Sequence, residues 1–566
     1  MPVTFETYQY TRPEFDAFSD TFRQSLQRFE TARSYEEQDR ALSQINELRT
    51  EFTSMYNICH IRHTMDTENE FYEKENEFFD QQMPAYEGLI NDFYKKLLAS
   101  PFRPALEQKW GRQLFTIAEF SLKTFDESII GLLQEENKLS SQYTKLKATA
   151  KIGFREEEHN LSTIQKYEID RNRETRQAAA EAKWGFFVGH AATIEDIFDQ
   201  LVKVRHKIAR QLGYKNFVEL GYARMLRSDY GPEKVANFRR QVEEYIVPIA
   251  SRLYERQRRR LGLKNLKYYD EELRFPGGNA QPKGEPKWIV SQARQMYSEL
   301  SAETREFFDF MNANHLMDLE TRPGKATGGY CTFIGNHKAP FIFSNFNGTS
   351  GDIDVLTHEA GHAYQVYSSR EIGIGEYNWP TFEACEIHSM SMEFFTWPWM
   401  ELFFREETDK YKFSHLSNSL YFLPYGVAVD EFQHYVYENP EASPAERNLA
   451  WRAIEKKYLP HRNYDGHAFL EKGGFWQKQS HIFNTPFYYI DYTLAQICAF
   501  QFWKKDREAH EQAWADYVRL CQAGGSLSFL ELVQLAGLRS PFEDGCVASV
   551  VDVITEWLDS IDDSSF

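Results

Sequence analysis

The chain has 566 residues, 42% of them hydrophobic and 26% charged, which is typical of a soluble globular enzyme. Its 84 acidic residues outnumber 65 Lys and Arg, so the net charge is −19, and we expect neither nucleic acid nor an anionic membrane as a partner. No apolar run approaches the roughly 18 residues that a membrane span needs.

Long helices are predicted for the first third of the chain, over residues 34–65, 69–100 and 126–182. These stretches are rich in Glu, Gln, Leu and Arg, which favour helices. The first of them carries an amphipathic stripe with spacings of four, three and four, formed by Ala41, Ile45, Leu48 and Phe52. We therefore expect these helices to pack against one another.

The middle of the chain is predicted to contain a loop and a small sheet. Residues 267–287 hold three prolines and three glycines, which indicates a loop. The runs "YCTFI" and "FIFSNF" within 321–352 are prone to form strands, and glycines surround them, so we expect an antiparallel hairpin. Helical character returns at Asp354. The expected fold is mostly α, with a small antiparallel β-sheet beside the candidate site.

The segment "THEAGHAY" (357–364) carries the spacing of a zinc site. On a helix, His358 and His362 lie on one face about one turn apart, so both imidazoles can reach one metal ion. Glu359 is rotated about 100° from His358, so it flanks the metal without binding it. That position suits a general base that acts on a zinc-bound water.

A third ligand is expected from the next predicted helix, "TFEACEIHSMSMEFFTW" (381–397). A catalytic zinc takes three protein ligands and keeps one position for water. Spacing alone does not separate Glu383 from Glu386, because both lie near one helix face. His388 is a third alternative, and Glu393 is a candidate partner for a ligating histidine.

"HEAGHAY" followed by "FEACEIHSMSME" resembles the thimet-oligopeptidase and oligoendopeptidase F family of zinc metallopeptidases, and the bacterial oligoendopeptidase F-like members most of all. The resemblance extends to "RPGKATGGYCTF" (322–333) and "AGGSLSFLELVQLAGL" (523–538). It implies that Glu386 is the third ligand of one Zn²⁺ per chain. It also implies a two-lobed helical fold with a deep channel that admits short peptides.

The same resemblance indicates donors for the oxyanion of a tetrahedral intermediate. Family members carry a His and two Tyr in the segment that corresponds to "SHIFNTPFYYIDYTLAQ" (480–496). The pattern maps to His481, Tyr489 and Tyr492, and Tyr488 is an alternative for one tyrosine role. Removing one oxyanion donor typically costs roughly 3–4 kcal/mol, so such donors matter.

Substrate contacts are expected beside the predicted hairpin. The run from Phe341 to Asn345 is expected to form a sheet edge to which an extended peptide adds as a strand, with Phe343 and Asn345 as contacts. Gly328 and Gly329 would let a peptide backbone approach closely. Tyr488 is a further expected substrate contact.

These observations predict a zinc endopeptidase that cuts internal bonds of short oligopeptides. The alternatives are a carboxypeptidase or a zinc hydrolase of non-peptide amides, and a helical scaffold that has lost catalysis. Retention of Glu359 argues against the scaffold, because a binding protein needs no general base. An N-terminal helical lobe is expected over 1–185 and a catalytic domain over 186–566, together one compact unit.

A cytoplasmic location is expected from the cysteines and the N-terminus. The six cysteines form no C-x-x-C pair, which indicates free thiols in a reducing compartment. The first residues lack the basic and apolar parts of a secretory signal. The sequence carries no indication of the oligomeric state.

Overall fold

The structure, a computed structural model, describes residues 4–566. Most of the described chain is helical, as the sequence predicts. In chain order the α-helices are α1 (Phe15–Thr31), α2 (Tyr35–Met65), α3 (Glu70–Leu98), α4 (Arg103–Trp110), α5 (Arg112–Thr124), α6 (Ile130–Ala148), α7 (Gln165–Glu168), α8 (Arg173–Gln211), α9 (Phe217–Arg224), α10 (Pro232–Gln241), α11 (Val247–Arg260), α12 (Pro286–Leu300), α13 (Ala302–Ala313), α14 (Gly351–Ser369), α15 (Phe382–Phe395), α16 (Glu401–Phe404), α17 (Thr408–Glu438), α18 (Pro444–Tyr458), α19 (Ala468–Glu471), α20 (Ser480–Asn484), α21 (Tyr489–Ala523), α22 (Phe529–Leu535) and α23 (Ala548–Ser560).

Two small sheets accompany the helices. They are built from β1 (Ile152–Phe154) with β2 (Glu157–His159), and from β3 (Met317–Glu320), β4 (Tyr330–Ile334) and β5 (Ala339–Phe346). The second sheet has the order β3-β5-β4, in which β5 is antiparallel to β4 and parallel to β3. The predicted hairpin is therefore confirmed, whereas β3 and the first sheet have no counterpart in the prediction.

The described residues form two compact units. Unit 1 comprises residues up to 123 together with 281–406 and 498–539. Unit 2 comprises 124–280, 407–497 and 540–566. The helix α21 has residues in both units. The predicted boundary between residues 185 and 186 stays a prediction.

The N-terminal helices form as their patterns predict. Ser34 caps α2 because its hydroxyl accepts a hydrogen bond from the backbone N–H of Glu37 at 3.3 Å. From the predicted stripe, Ala41, Ile45 and Phe52 are buried. Leu48 packs against the hydrophobic cluster of unit 1 that contains Ala41 and Ile45. The predicted helices over 34–65 and 69–100 are confirmed to within two residues at each end.

The predicted continuous helix over 126–182 is wrong. The chain there forms α6, the hairpin of β1 and β2, the single turn α7 and the start of α8. Arg155 and Glu156, between the two strands, have φ of 52° and 65°, so both occupy the left-handed region. This two-residue turn reverses the chain without glycine or asparagine at its centre, which explains why the residue types did not reveal it.

No helix of the described chain combines the length and the apolar composition that a membrane span requires. All six cysteines are free thiols, so the expectation from their spacing is confirmed. Four of the six are buried, namely Cys59, Cys498, Cys521 and Cys546.

Candidate active site

The helices α14 and α15 approach each other closely at Gly361. A Cβ atom at Gly361 would lie 2.7 Å from the carbonyl oxygen of His388 and 2.7 Å from the Cα of Ser389. Side chains essentially never tolerate such distances, so only glycine permits this spacing. The glycine inside the HEAGH motif therefore brings the two helices together in unit 1.

Three candidate ligand atoms converge where these helices meet. The Nε2 atoms of His358 and His362 lie 3.3 Å and 3.7 Å from Oε2 of Glu386. One ligand atom from each residue falls within 4.8 Å of the others, and the described residues contain no other such group of three or more. Two imidazole nitrogens and one carboxylate oxygen are the donor set of many catalytic zinc sites.

Two further side chains orient this group. Oε1 of Glu393 lies 2.7 Å from Nδ1 of His358, which leaves Nε2 for a metal. The hydroxyl of Ser389 donates to Oε2 of Glu386 at 3.0 Å. Carboxylate and hydroxyl partners of this kind fix the rotamers of ligating side chains.

The alternative ligands from the sequence do not join the group. His388 is fully buried, and its Nδ1 lies 2.5 Å from the backbone carbonyl oxygen of Ala384. Glu383, also buried, is absent from the convergent set. Of the three candidates on α15, the geometry therefore favours Glu386.

Glu359 lies beside the group with its carboxylate largely unpartnered. The residue is buried, and its Oε2 has no hydrogen-bond partner in the described chain. Burial raises the pKa of Glu359 to about 7, and the negative charges of Glu386 and Glu393 add to this rise, while His358 opposes it. A carboxyl group with a pKa near neutrality can both accept and release a proton.

The two histidines differ in their electrostatic surroundings. Burial lowers the pKa of His362 to about 4, so its imidazole is neutral at pH 7, as a metal ligand must be. Burial also opposes the charged form of His358, but hydrogen bonds to Glu386 and Glu393 raise its pKa well above the usual value. A divalent cation would compete with this proton for the same carboxylates.

The structure places the predicted substrate contacts around the strands β4 and β5. Gly328 has a φ of +94°, and a Cβ on Gly329 would lie 3.9 Å from Oε1 of Glu359. The ring of Phe343 is buried and stacks on Tyr330, with centroids 4.9 Å apart. The amide of Asn345 donates to the backbone carbonyl oxygens of Ala326 and Gly328 at 2.9 Å.

The expectation that Phe341 to Asn345 form a sheet edge is wrong. These residues belong to β5, which is the central strand because both β3 and β4 pair with it. The edge strand that follows Gly329 is β4. The sequence did not reveal this order because β3 comes from a short stretch that is separated from the hairpin by a loop.

In unit 2, the predicted histidine and tyrosines form one aromatic group. The ring of His481 lies 4.9 Å from Tyr489, 5.9 Å from Tyr492 and 6.0 Å from Tyr488, between centroids. All four side chains are half-buried, whereas the residues between them along α21, Ile490 and Asp491, are buried. The structure therefore brings these four residues together on an accessible face.

Gln479, which the sequence reading did not single out, contacts the imidazole of His481. Its Nε2 lies 2.8 Å from Nδ1 of His481, and its Oε1 accepts a hydrogen bond from the hydroxyl of Tyr425 at 2.9 Å. In this arrangement Nδ1 is the acceptor, so the proton of a neutral His481 resides on Nε2. In this tautomer the Nε2–H group is a hydrogen-bond donor.

A half-buried lysine and a buried arginine hold the backbone of this segment. Lys147 donates to the carbonyl oxygen of Lys478 at 2.7 Å, and Arg205 donates to the carbonyl oxygens of Ile482 and Phe483. Such charge-assisted hydrogen bonds are stronger than neutral ones. The segment that carries His481 is thus fixed by side chains of α6 and α8, because it lacks the regular bonds of a long helix.

A strained residue ends the segment. Phe487 has a φ of 69°, and Arg227 donates to its carbonyl oxygen at 2.6 Å and to Oδ1 of Asp491 at 2.7 Å. A Cβ on Gly221 would lie 2.5 Å from the ring of Phe487. Arg227 and Gly221 were not predicted as site residues, because nothing in their local sequence shows which distant backbone they touch.

The comparisons with known proteins agree with one another. The description "Peptidase M3 N-terminal domain" matches residues 5–125, and "Peptidase family M3" matches 295–551. A solved structure of PZ peptidase A with an inhibitor is 60% identical, with a TM-score of 0.94, over 99% of this chain and 100% of that one. A Bacillus anthracis protein named as an oligoendopeptidase F is 56% identical, with a TM-score of 0.90, over 100% and 99%.

More distant relatives carry the same name. An oligoendopeptidase F homolog of Borreliella burgdorferi is 22% identical over 72% of this chain and 71% of its own length. The chromosomal oligoendopeptidase F of Lactococcus lactis is 28% identical over 35% of this chain. The matched region spans 32% of that Lactococcus protein, and 60% of a second homolog from the same species.

Proposed function

Because the chain belongs to the M3 family of peptidases, we propose that it is a zinc-dependent endopeptidase that hydrolyses internal peptide bonds of short oligopeptides. The family itself implies metallo-oligopeptidase activity. The proposal of a zinc-dependent mechanism rests on the convergence of His358, His362 and Glu386 on one point, with Glu359 beside them.

His358, His362 and Glu386 would hold one Zn²⁺ per chain. The donor set fits this ion in number and type, and Glu393 and Ser389 keep the ligand atoms aimed. When bound, the ion supplies Lewis acidity, which lowers the pKa of an associated water and polarises a peptide carbonyl.

Glu359 is the proposed general base. It takes a proton from the attacking water and later delivers that proton to the leaving amine. The raised pKa of about 7 and the unpartnered Oε2 support this role, because the group can change its protonation state near neutral pH. The nearby edge strand β4 and the glycines Gly328 and Gly329 offer backbone groups to an extended peptide.

His481, Tyr489 and Tyr492 are the proposed donors to the oxyanion, and Tyr488 is an alternative for one tyrosine. Burial raises the pKa of Tyr489, which keeps its hydroxyl protonated as a donor at pH 7. Gln479 supports the role of His481 because it accounts for a proton on Nε2. Phe343 and Asn345 remain proposed substrate contacts from the sequence. The ring of Phe343 is buried and its strand is paired on both sides, so the structure gives no support to contact through Phe343.

A digestion experiment tests the proposal. A pool of synthetic peptides from 4 to about 30 residues is incubated with the zinc-loaded protein, with and without a chelator, and mass spectrometry identifies the products. We expect cuts at internal bonds of the shorter peptides, and loss of all cutting with chelator. Stepwise release of single C-terminal residues would instead indicate a carboxypeptidase.

The remaining expectations from the sequence stay predictions. They concern the cytoplasmic location, the channel that admits only short peptides, and the absence of nucleic acid and membrane partners. The acidic net charge of −19 supports the last of these.

A further inference from the structure

Lys478 lies three residues before His481 and carries an ammonium group that the proposed mechanism does not use. It ends a short 3-10 helix, Gly474–Lys478, in unit 2. Its Nζ lies 4.1 Å from the ring centroid of Phe475 and 5.8 Å from that of Tyr425. Within the described chain it forms no ion pair at 4.0 Å or less.

The carboxylates near Lys478 are largely committed to other cations. Glu168 pairs with Lys183 at 2.8 Å, and Glu271 pairs with Arg462 at 2.9 Å. Of the carboxylates that act on the ammonium of Lys478, only Glu272 has no ion pair within 4.0 Å in the described residues. Lys183 and Arg462 bring positive charge close to Lys478. Each of them has a carboxylate partner, whereas Lys478 has none within 4.0 Å in the described residues.

Burial and two neighbouring cations disfavour the protonated form of Lys478. Burial lowers its pKa to about 7, and the cations Lys183 and Arg462 lower it further, while Glu272 and Glu168 oppose them. A lysine kept in such surroundings without a counter-ion is a common sign of a functional site. An additional carboxylate beside the ammonium would restore the charged form.

A ligand can reach this group from the face that carries His481. Lys478, Gln479, His481 and Tyr425 are all half-buried, whereas Trp476 and Gln477, which precede Lys478, are buried. Tyr425 joins the two ends of this face, because its hydroxyl donates to Gln479 and its ring lies 5.8 Å from that of Tyr489. Lys478 therefore lies on the same accessible face as His481 and the tyrosines around it.

We propose that Lys478, supported by Arg462 and Lys183, binds a carboxylate of the peptide substrate. The carboxylate comes either from the C-terminus of the peptide or from an Asp or Glu side chain. The inference rests on the proposed function only in that the ligand is a peptide. This contact would add a preference for charged groups to the proposed recognition of the peptide backbone.

The test uses the full-length, zinc-loaded chain with Glu359→Gln, so that bound peptides are not cut. The probe is a pool of synthetic peptides of 6 to 14 residues in three forms: unblocked, C-terminally amidated, and amidated with Asn and Gln in place of Asp and Glu. Affinity selection followed by mass spectrometry gives the relative affinity of each peptide. Lys478→Met is compared with Lys478→Arg and with Lys472→Met, which removes an exposed lysine nearby.

We expect Lys478→Met to weaken binding of unblocked peptides by about 10-fold and to leave the fully blocked pool unchanged, as one buried ion pair commonly changes affinity by this factor or more. Lys478→Arg and Lys472→Met should retain the preference. If affinity falls when the C-terminus is amidated, the bound carboxylate is the C-terminus of the peptide. If affinity falls only when Asp and Glu are also replaced by Asn and Gln, the bound carboxylate is a side chain.

Equal binding of all three pools by the chain with Lys478 intact would overturn the inference, as would an equal loss for all three in Lys478→Met. If no pool binds in any form, the proposed function fails together with the inference. Thermal unfolding of each variant shows whether Lys478→Met is folded. If it is not, the relative affinities of the three peptide forms for the chain that keeps Lys478 still test the inference.

The pH dependence provides a second readout. The protonated fraction of Lys478 falls as pH rises through about 7, so the preference for unblocked peptides should shrink between pH 6 and pH 8.5. The groups that face Lys478 include Lys183, Arg462, Glu272 and Glu168. Nearby, burial raises the pKa of Glu271 to about 6 and lowers that of Lys147 to about 8.

Glu271 and Lys147 also titrate in this pH range. We therefore attribute to Lys478 only the part of the pH dependence that is lost in Lys478→Met. A preference that stays constant with pH, or that changes identically in Lys478→Met, would contradict the role of its ammonium.

Discussion

The two groups of proposed catalytic residues are held in place in different ways. The ligand group of His358, His362 and Glu386 lies on two regular helices that approach at one glycine, Gly361. The group around His481 lies on an irregular segment whose carbonyl oxygens are bound by the side chains of one lysine and two buried arginines. The first arrangement follows from helix periodicity, and the second depends on contacts between residues far apart in sequence.

The difference predicts separable effects. A change that moves the helix pair should affect metal content and turnover together, because the proposed ligands move with the helices. A change at the anchored segment should lower turnover and leave the metal in place. The following four substitutions test this separation, from the largest expected effect to the smallest.

Glu359→Gln should reduce turnover by roughly 10²–10⁴-fold, because the amide cannot accept the proton of the attacking water. Metal analysis should still find one zinc per chain, since Glu359 is not among the proposed ligands. Glu371→Gln, at an exposed glutamate just beyond α14, is the control. Turnover within a factor of about three of the parent would exclude Glu359 as the base.

Gly361→Ala should force α14 and α15 apart, because the new Cβ would meet His388 and Ser389 at 2.7 Å. We expect a loss of roughly 1–3 kcal/mol in the free energy of unfolding, and a lower zinc content. Gly185→Ala is the matched control, because Gly185 lies inside α8 with no atom within 4 Å of its added Cβ. Unchanged zinc affinity in Gly361→Ala would show that the close approach does not set the ligand geometry.

Gly221→Ala should displace the ring of Phe487 and with it the segment before α21. The predicted result is a turnover reduced by about 10-fold with full zinc content, since a small misplacement of catalytic groups is costly. The control is again Gly185→Ala. A loss of zinc in Gly221→Ala would contradict the separation of the two groups.

Gln479→Leu should have the smallest effect, a fall of several-fold in kcat with little change in KM, because the donor remains but loses its fixed tautomer. The ¹⁵N chemical shifts of His481 measure this directly. We expect a proton on Nε2 in the parent protein and a mixture of tautomers in the variant. A single unchanged tautomer in both would remove Gln479 from the account.

The sequence predicts the parts of this molecule that local patterns determine. The helices α2, α14 and α15, the hairpin of β4 and β5, and the free cysteines follow from periodicity, turn residues and spacing. The resemblance selected Glu386 from three candidates that spacing left open, and the geometry agrees with that choice.

Features that depend on distant contacts were not predictable. The parallel strand β3, the turn at Arg155 and Glu156, and the anchoring of Phe487 by Arg227 have no local signature. Gly361 was visible inside the motif, but its role depends on a helix that lies 27 residues further along the chain at His388. Lys478 likewise gains significance only from the charges around it.

The most direct test of the central claim is anomalous diffraction at the zinc edge from crystals of the zinc-loaded chain. We predict one strong peak per chain, about 2.0–2.2 Å from Nε2 of His358, Nε2 of His362 and a carboxylate oxygen of Glu386. A peak coordinated by Glu383 or His388, or no peak near α14 in a protein that still cleaves peptides, would contradict it.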